Sequence, residues 1–524
     1  MAELPSKLPW YQTLNHWVFW PPFVALILMV SLNVIDGDTF NAVVSGIKTF
    51  IVSKFGWLFT LCSILSIAAC CVIAFSPFGA VRIGGADAEP LMGRWNWFAI
   101  TVCTSVATGI LFWSTAEPIY HLSTVPPFLD SQPNTPAAAI DSLSVVFLHW
   151  TVTPYCLYAV VSLAFAFSYY NMKQPYSLRS MVAPLLGPGN EDWLKAYPWV
   201  GNSIDGICLF ALVAGMSASL GTGILVIASG LGEVFGLEKS HWLWAAITVA
   251  IVVTFIISSA TGLTKGIRIL SDVNTKGLFV LCGFVLVTGP TVLIFQNGAE
   301  ALLKYAFDFP SLSTAGFDLG GNDWTSSWSA FYWAVWLAWA PVTACFLGRI
   351  SLGRTVRETL VFNLLLPALF SMFWMAVFCT TAMDLQLTGA ADLSAVIQDP
   401  TRGPENVTYE VFGQLPLSFL MTGFYLISAF ICFVTSADSN TTAMASISGR
   451  HASDADPEGA LTVKVLWGIA VGSVAWVMIA FASVEGIKTI SVIGGFPVSI
   501  LFVLVVISLM RIVVQHEQFS RVNS

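Results

Sequence analysis

Three groups of residues in this chain could do chemistry with a solute or an ion. The first is aromatic and reads Trp328-Ser-Ala-Phe331-Tyr332-Trp333-Ala-Val335-Trp336-Leu-Ala-Trp339-Ala-Pro341. Trp333, Trp336 and Trp339 recur every third residue. On a helix of about 3.6 residues per turn, each ring therefore steps back by about 60° and the three share one face. A second set, Trp150, Tyr155 and Tyr158, follows His149. A quaternary ammonium has no N–H to donate, so hydrogen bonds cannot hold it. Aromatic faces attract it through their quadrupoles, by about 2 kcal/mol per ring when desolvated. Tryptophans in membrane proteins also form interfacial belts and fill gaps between helices, and spacing alone favours that packing role.

The second group is small and flexible: Thr104-Ser105-Val106-Ala107-Thr108-Gly109, and a run from Gly215 to Gly223 containing Ser217, Ser219 and Gly221. Small residues let helices approach closely. They also let a helix unwind at mid-membrane and present its backbone to an ion or a carboxylate. Spacing does not separate these two uses. The third group is polar, Phe433-Val-Thr435-Ser436-Ala-Asp438-Ser439-Asn440-Thr441-Thr442. Adjacent hydroxyls suit a small hard cation such as sodium, although Ser and Thr in helices often bond back to their own backbone. Asp438 and Glu117 read as residues at span margins, where each would cap a helix or pair with a basic side chain.

The elements carrying these groups follow from composition. The 524 residues are 56% hydrophobic and only 10% charged, where a soluble chain has about 25% charged residues. That excludes an ordinary soluble enzyme and a disordered protein. A net charge of -8 without basic runs excludes a nucleic-acid binder. Cutting the chain at charged residues leaves twelve long uncharged stretches: 17–35, 55–81, 95–116, 142–172, 206–232, 240–264, 277–299, 324–348, 359–383, 411–437, 465–484 and 489–510. Each is long enough to cross a hydrocarbon core of roughly 30 Å as a helix. None alternates like a barrel strand. The fold expected is all-α and integral to the lipid bilayer, with twelve transmembrane helices.

Even numbers of spans put both termini on one side. With that side cytoplasmic, only Lys48, Lys54, Lys239, Lys304, Arg402 and Lys488 of the 22 Lys and Arg fall outside, as the positive-inside rule requires. The ten cysteines lie in uncharged stretches without CxxC spacing and read as packing residues, not metal ligands or disulfides. An integral membrane enzyme would need convergent acid, base or metal groups. His149 is read as lacking such a cluster. A channel would need a continuous polar lining, of which the sequence gives no sign.

The run Phe331-Tyr-Trp-Ala-Val-Trp-Leu-Ala-Trp-Ala-Pro341, followed by Gly348-Arg-Ile-Ser-Leu-Gly-Arg-Thr-Val-Arg-Glu358, closely resembles the signature of the betaine/carnitine/choline transporter family. Supporting segments are Phe112-Trp-Ser-Thr-Ala-Glu-Pro118, Leu148 to Tyr158, Lys265 to Asp272 and Thr435 to Ser439. The resemblance covers the chain from about Trp95 to Met510. It implies a leucine-transporter-type core of two inverted five-helix repeats, spans 3–7 within residues 95–323 and spans 8–12 within 324–510. Residues 1–94 would then hold the first two helices, and 511–524 a short cytoplasmic tail. It also implies a homotrimer in the plasma (inner) membrane.

By the same resemblance, the substrate box would use Trp150, Tyr155, Tyr158, Trp336 and Trp339. Trp333 joins them from the shared face described above, and Trp328 would receive substrate arriving from outside. Thr435 and Ser436 would ligate sodium with carbonyls near Cys103 and Val106, and Ser217 and Ser219 would offer a weaker second sodium site. Sodium would be the coupling ion, and no other cofactor is implied. The chain departs from the family at Ser105 and Ala107, where betaine carriers have glycines, and at Val335 and Tyr155, where tryptophan is frequent. Sodium-independent carnitine exchangers resemble it at Ser123 to Phe128 but carry arginine at the position of Asn274. The function expected is import of an onium compound such as glycine betaine, carnitine or choline, coupled to sodium. The alternative is an ion-independent exchanger of the same fold.

Overall fold

The computed structural model describes residues 10–105, 107–260, 266–317, 323–449 and 460–521. Val106 and Lys265 lie outside them. Regular structure among the described residues is helical, and extended pairing is limited to two isolated bridges, Leu14 with Gly449 and Arg82 with Thr355. The principal helices are α1 (His16–Ile35), α2 (Gly37–Phe75), α3 (Arg94–Ser105), α4 (Ala107–Ser123), α5 (Pro136–Trp150), α6 (Val152–Ala166) and α7 (Pro198–Phe235). They continue with α8 (His241–Ala260), α9 (Gly266–Thr288), α10 (Thr291–Thr314), α11 (Ser329–Ile350), α12 (Leu366–Thr388), α13 (Ser418–Ser448) and α14 (Leu461–Arg521).

Among the described residues, eleven segments are long and apolar enough to cross a bilayer. The pair α3 and α4, bent by 55°, supplies a twelfth. The twelve expected spans are therefore present, with shifted limits. The stretch 277–299 is not one span, because α9 ends before Gly289 and Pro290 and α10 begins after them. Proline cannot donate to the preceding turn, which stops the helix there. The spanning part of α9 starts at Ile269 instead. It tolerates Asp272 and Lys276 because these pair across one turn at 2.6 Å. Pro416, with Leu417 at φ 57°, likewise delays α13 until Ser418. The last two stretches lie in one helical run, α14, as the segments Leu461–Ala480 and Val484–Phe519.

Local signals fix several ends. Thr135 caps α5 by accepting from the Ala138 N–H, with Pro136 in the first turn. Gly236 and Gly389 close α7 and α12 in the left-handed conformation. Basic residues near the helix ends are partnered. Lys48 and Lys488 share Glu485, and Lys239 binds Glu405 close to the Arg402–Glu410 pair. Arg94 binds Glu358 and Arg82 donates to the Gly353 carbonyl.

α7 and α11 are almost wholly buried and form the centre of the bundle, packed against each other, α6, α13 and α14. α1 and α8 lie at the periphery and expose Ile27, Leu28, Val253 and Ile257. Such apolar exposure is what a lipid-facing helix requires.

Candidate functional site

Where α3, α4, α5, α6, α7, α11 and α14 converge, they line a narrow hollow with a cavity volume of ≈ 60 Å³, below the roughly 300–1,000 Å³ of an open small-molecule site. α11 contributes Phe331, Tyr332, Val335, Trp336 and Trp339. These positions follow the spacing i, i+1, i+4, i+5, i+8, which is one face of a helix. Trp333 lies off that face and outside the lining. It is buried with its ring edge against the His149 imidazole, centroids 5.8 Å apart. Three-residue spacing drifts by a sixth of a turn at each step, so Trp336 and Trp339 stay on the hollow while Trp333 leaves it.

Trp336 is the hub of the expected aromatic set. Its ring centroid is 5.4 Å from Trp150, 5.3 Å from Tyr158 and 6.1 Å from Tyr155, all at steep interplanar angles. Trp150 and Tyr158 line the hollow. Tyr155 stands behind them, its hydroxyl 2.9 Å from that of Ser371. The α5 to α6 junction makes this possible: Thr151 has φ −116° and ψ −111°, which interrupts the helix between Trp150 and Tyr155. A Cβ on Gly109 would overlap the Trp150 ring, and one on Gly215 would come within 3.1 Å of the Trp339 ring. At both places an indole lies directly on bare backbone.

Three of these rings spend their polar hydrogens on the protein. Trp336 donates its indole N–H to the His149 carbonyl at 3.0 Å. Trp150 donates to Glu117 Oε2 at 2.7 Å, and the Tyr332 hydroxyl donates to the same oxygen. The hollow presents a solute with these π faces, with Trp113, Tyr158 and Trp339, and with the hydroxyls of Ser105, Thr108, Ser219, Thr222 and Ser491. Among the described residues, no Asp, Glu, Lys or Arg lines the hollow.

Glu117 corrects the reading of a residue at a span margin. It is fully buried within α4, and its Oε1 also meets His149 Nδ1 at 2.7 Å and His121 Nε2 at 3.2 Å. The reading of His149 as lacking a cluster is corrected too, since these three residues place ligand atoms within 4.8 Å of one another. An ionised carboxylate offers four acceptor positions and no donor. Two imidazoles, an indole and a phenol thus converge on the Glu117 carboxyl group. His149 Nε2 lies 3.0 Å from the Ser329 hydroxyl. The sequence signal was available: a glutamate with histidine four residues on, both inside an apolar stretch, is expensive unless partnered.

Trp328, at the start of α11, is buried against the His121 ring at 4.6 Å and Tyr120 at 5.2 Å. Its ring also neighbours Trp113 at 6.0 Å and Tyr332 at 6.3 Å, both of which line the hollow. The polar motif of α13 is buried throughout. Thr435 donates its hydroxyl to the carbonyls of Ile431 and Cys432, at 3.0 and 2.9 Å. Ser436 Oγ is 3.4 Å from Asn440 Nδ2, and Asp438 accepts from Ser258 at 2.7 Å. Cys103, on α3, lies against α9, with its sulfur 3.6 Å from Asn274 Nδ2, and the expected carbonyl at Val106 is outside the described residues. Ser217 and Ser219 are not brought together. Ser217 donates to the Val471 carbonyl at 3.3 Å, whereas Ser219 points into the hollow and donates to Thr108 at 3.1 Å.

A hollow walled by aromatic faces on a twelve-span helical scaffold agrees with what the chain resembles. The family model described as "betaine/carnitine/choline family transporter" matches residues 17–518. The chain belongs to this transporter family. The glycine betaine transporter OpuD of Bacillus subtilis is 32% identical over 497 residues, 94% of this chain and 93% of its own. The osmo-independent choline transporter BetT1 of Acinetobacter baylyi is 28% identical over 516 residues, covering 98% and 95%. The ectoine/hydroxyectoine transporter of Virgibacillus pantothenticus is 27% identical over 506 residues, covering 97% and 98%. Membership makes this chain a multi-pass membrane transporter and not an enzyme, so the Glu117 cluster belongs to a carrier.

Proposed function

We propose that this chain is a secondary active transporter that imports a quaternary ammonium or related onium compound, such as glycine betaine, carnitine or choline, by alternating access coupled to sodium. The observation carrying this reading is the arrangement around Trp336. Trp150, Trp336 and Tyr332 use their N–H and O–H groups on protein acceptors, so the hollow offers ring faces where a donor-free cation binds best. A carboxylate or hydroxyl on the same solute would meet Ser105, Thr108 and Ser219, close to the N-terminus of α4. Helix N-termini favour negative charge.

Sodium coupling rests on the chemistry of the donor set. Thr435 and Ser436 are oxygen donors on α13, which packs on α3 and α4 beside their bend. Asn274 Oδ1 and Thr442 Oγ1 are buried acceptors without a hydrogen-bond partner. Neutral oxygens of this kind suit a hard monovalent cation, and Asn274 supplies no fixed charge in its place. The cycle follows: solute settles in the aromatic hollow, sodium binds at α3 and α13, and both favour the closed form by differential affinity. One bundle then rocks against the rest and opens the hollow inward. We assign the chain a core of two inverted repeats, a homotrimeric assembly, and a plasma-membrane location with both termini cytoplasmic.

Uptake by proteoliposomes tests this. Labelled glycine betaine, carnitine and choline are offered with an inward sodium gradient, with potassium in its place, and with unlabelled solute inside. Sodium-driven accumulation of at least one onium is the expected result. Equal uptake without sodium, driven only by internal solute, would replace symport with exchange; no uptake of any onium would defeat the assignment.

A further inference from the structure

Resting on the onium reading above, we infer that Lys488 is an internal competitor at the outer aromatic surface, and that it makes the carrier favour zwitterionic onium compounds over purely cationic ones. The Lys488 ammonium lies 4.7 Å from the Trp328 ring centroid and 5.7 Å from that of Phe331. Its side chain is only 13% exposed. Phe331 lines the hollow, and so do Ile487 and Ser491, which flank Lys488 on α14. On this reading an arriving onium crosses these ring faces before it reaches Trp336.

Two cations cannot share those faces, so solute binding requires the lysine to leave. It has somewhere to go. Glu485, one turn earlier, holds a carboxylate oxygen 3.4 Å from the Lys488 ammonium, while its other oxygen binds Lys48 at 2.9 Å. Glu485 is itself 69% exposed at its side chain, so the ammonium can swing onto it and stay paired. The displaced charge then stands at the rim of the hollow. A solute with a positive head and no anion meets repulsion there. A solute carrying a carboxylate meets a partner, and specificity arises as the difference between the two affinities. Lysine's single rotatable charge on a flexible stem suits this movement better than a planar guanidinium would.

Initial-rate uptake of choline and glycine betaine by proteoliposomes of the full-length protein, under whichever driving gradient supports the wild type, reads the effect. Lys488→Met should lower the KM for choline about fivefold or more, in line with one lost cation–π competitor, and lower that for glycine betaine less, so the KM ratio moves toward choline. In a Trp328→Leu background the same substitution should shift both KM values less, because only the Phe331 face is then contested. Glu485→Gln works in the opposite direction. It removes the alternative partner, holds the ammonium on the rings and raises both KM values. A folded Lys488→Met protein with an unaltered KM ratio overturns the inference, as does a Glu485→Gln protein with unaltered KM values. Wild-type protein that takes up neither compound overturns the onium reading and the competitor with it, which separates the two failures.

Discussion

Glu117 and Trp150, on neighbouring helices α4 and α5, are joined by a 2.7 Å hydrogen bond from the indole N–H to Oε2. The bond fixes the tilt of a ring whose face borders the hollow, and it does so with a charge. A negative group on the N–H edge increases electron density over the indole face, which strengthens attraction for a cation on that face. Glu117 thus acts on solute through Trp150, as a positioning residue.

Replacing Glu117 by glutamine tests that role. The amide would turn N–H groups toward donors from Trp150, Tyr332 or the histidines, and buried donors left facing donors cost roughly 1–3 kcal/mol each. A lower melting temperature in detergent is expected, with a KM raised about tenfold. Glu117→Asp, which keeps the charge, should recover part of the affinity; equal KM defects in both variants would show that packing alone is at stake.

Trp336→Leu removes the ring that Trp150, Tyr155 and Tyr158 surround. Losing about 2 kcal/mol of cation–π attraction corresponds to a fall of roughly thirtyfold in kcat/KM. Trp333→Leu, off the lining, should alter kcat/KM by less than about threefold. Size-exclusion profiles of the two purified variants separate lost binding from lost folding.

Gly109→Ala places a methyl group where the Trp150 ring lies. Helix propensity favours alanine by about 1 kcal/mol, so the helix itself gains while the ring must move. Uptake should fall at least tenfold with little loss of membrane expression. A variant with wild-type KM would mean that the Trp150 face is dispensable.

Thr435→Ala combined with Ser436→Ala should raise the sodium concentration for half-maximal uptake by about tenfold and leave onium KM at saturating sodium within about threefold. Sodium titration of uptake rates checks this. Because the Thr435 hydroxyl bonds within its own helix here, an unchanged sodium curve would assign it that structural use alone.

The twelve spans were legible because a bilayer forces every crossing segment to be long and apolar. Their limits were less so. Cutting at charges placed a boundary at Lys276, but Asp272 neutralises that lysine inside α9, and Gly289 with Pro290 ends the helix where no charge marks it. In the aromatic run the residue types were legible and the face only in part: Tyr332 and Val335 line the hollow while Trp333 does not. Glu117 read alone as a margin residue and Lys488 as a charge on the outer side, and His121 drew no reading. Their meaning comes from convergence of separate helices, which spacing along a single helix does not encode. Ser217 and Ser219, two residues apart, necessarily face different neighbours on α7.

At Gly109 and Gly215 two walls of the hollow are polypeptide backbone with an indole resting on it. Main chain cannot be trimmed by substitution, so the distance across that side is invariant to sequence drift. Any retuning toward a bulkier or slimmer guest must therefore act through lining positions where side chains define the space, such as Val335 and Ser105. Those are among the positions at which this chain already parts from the pattern it otherwise follows.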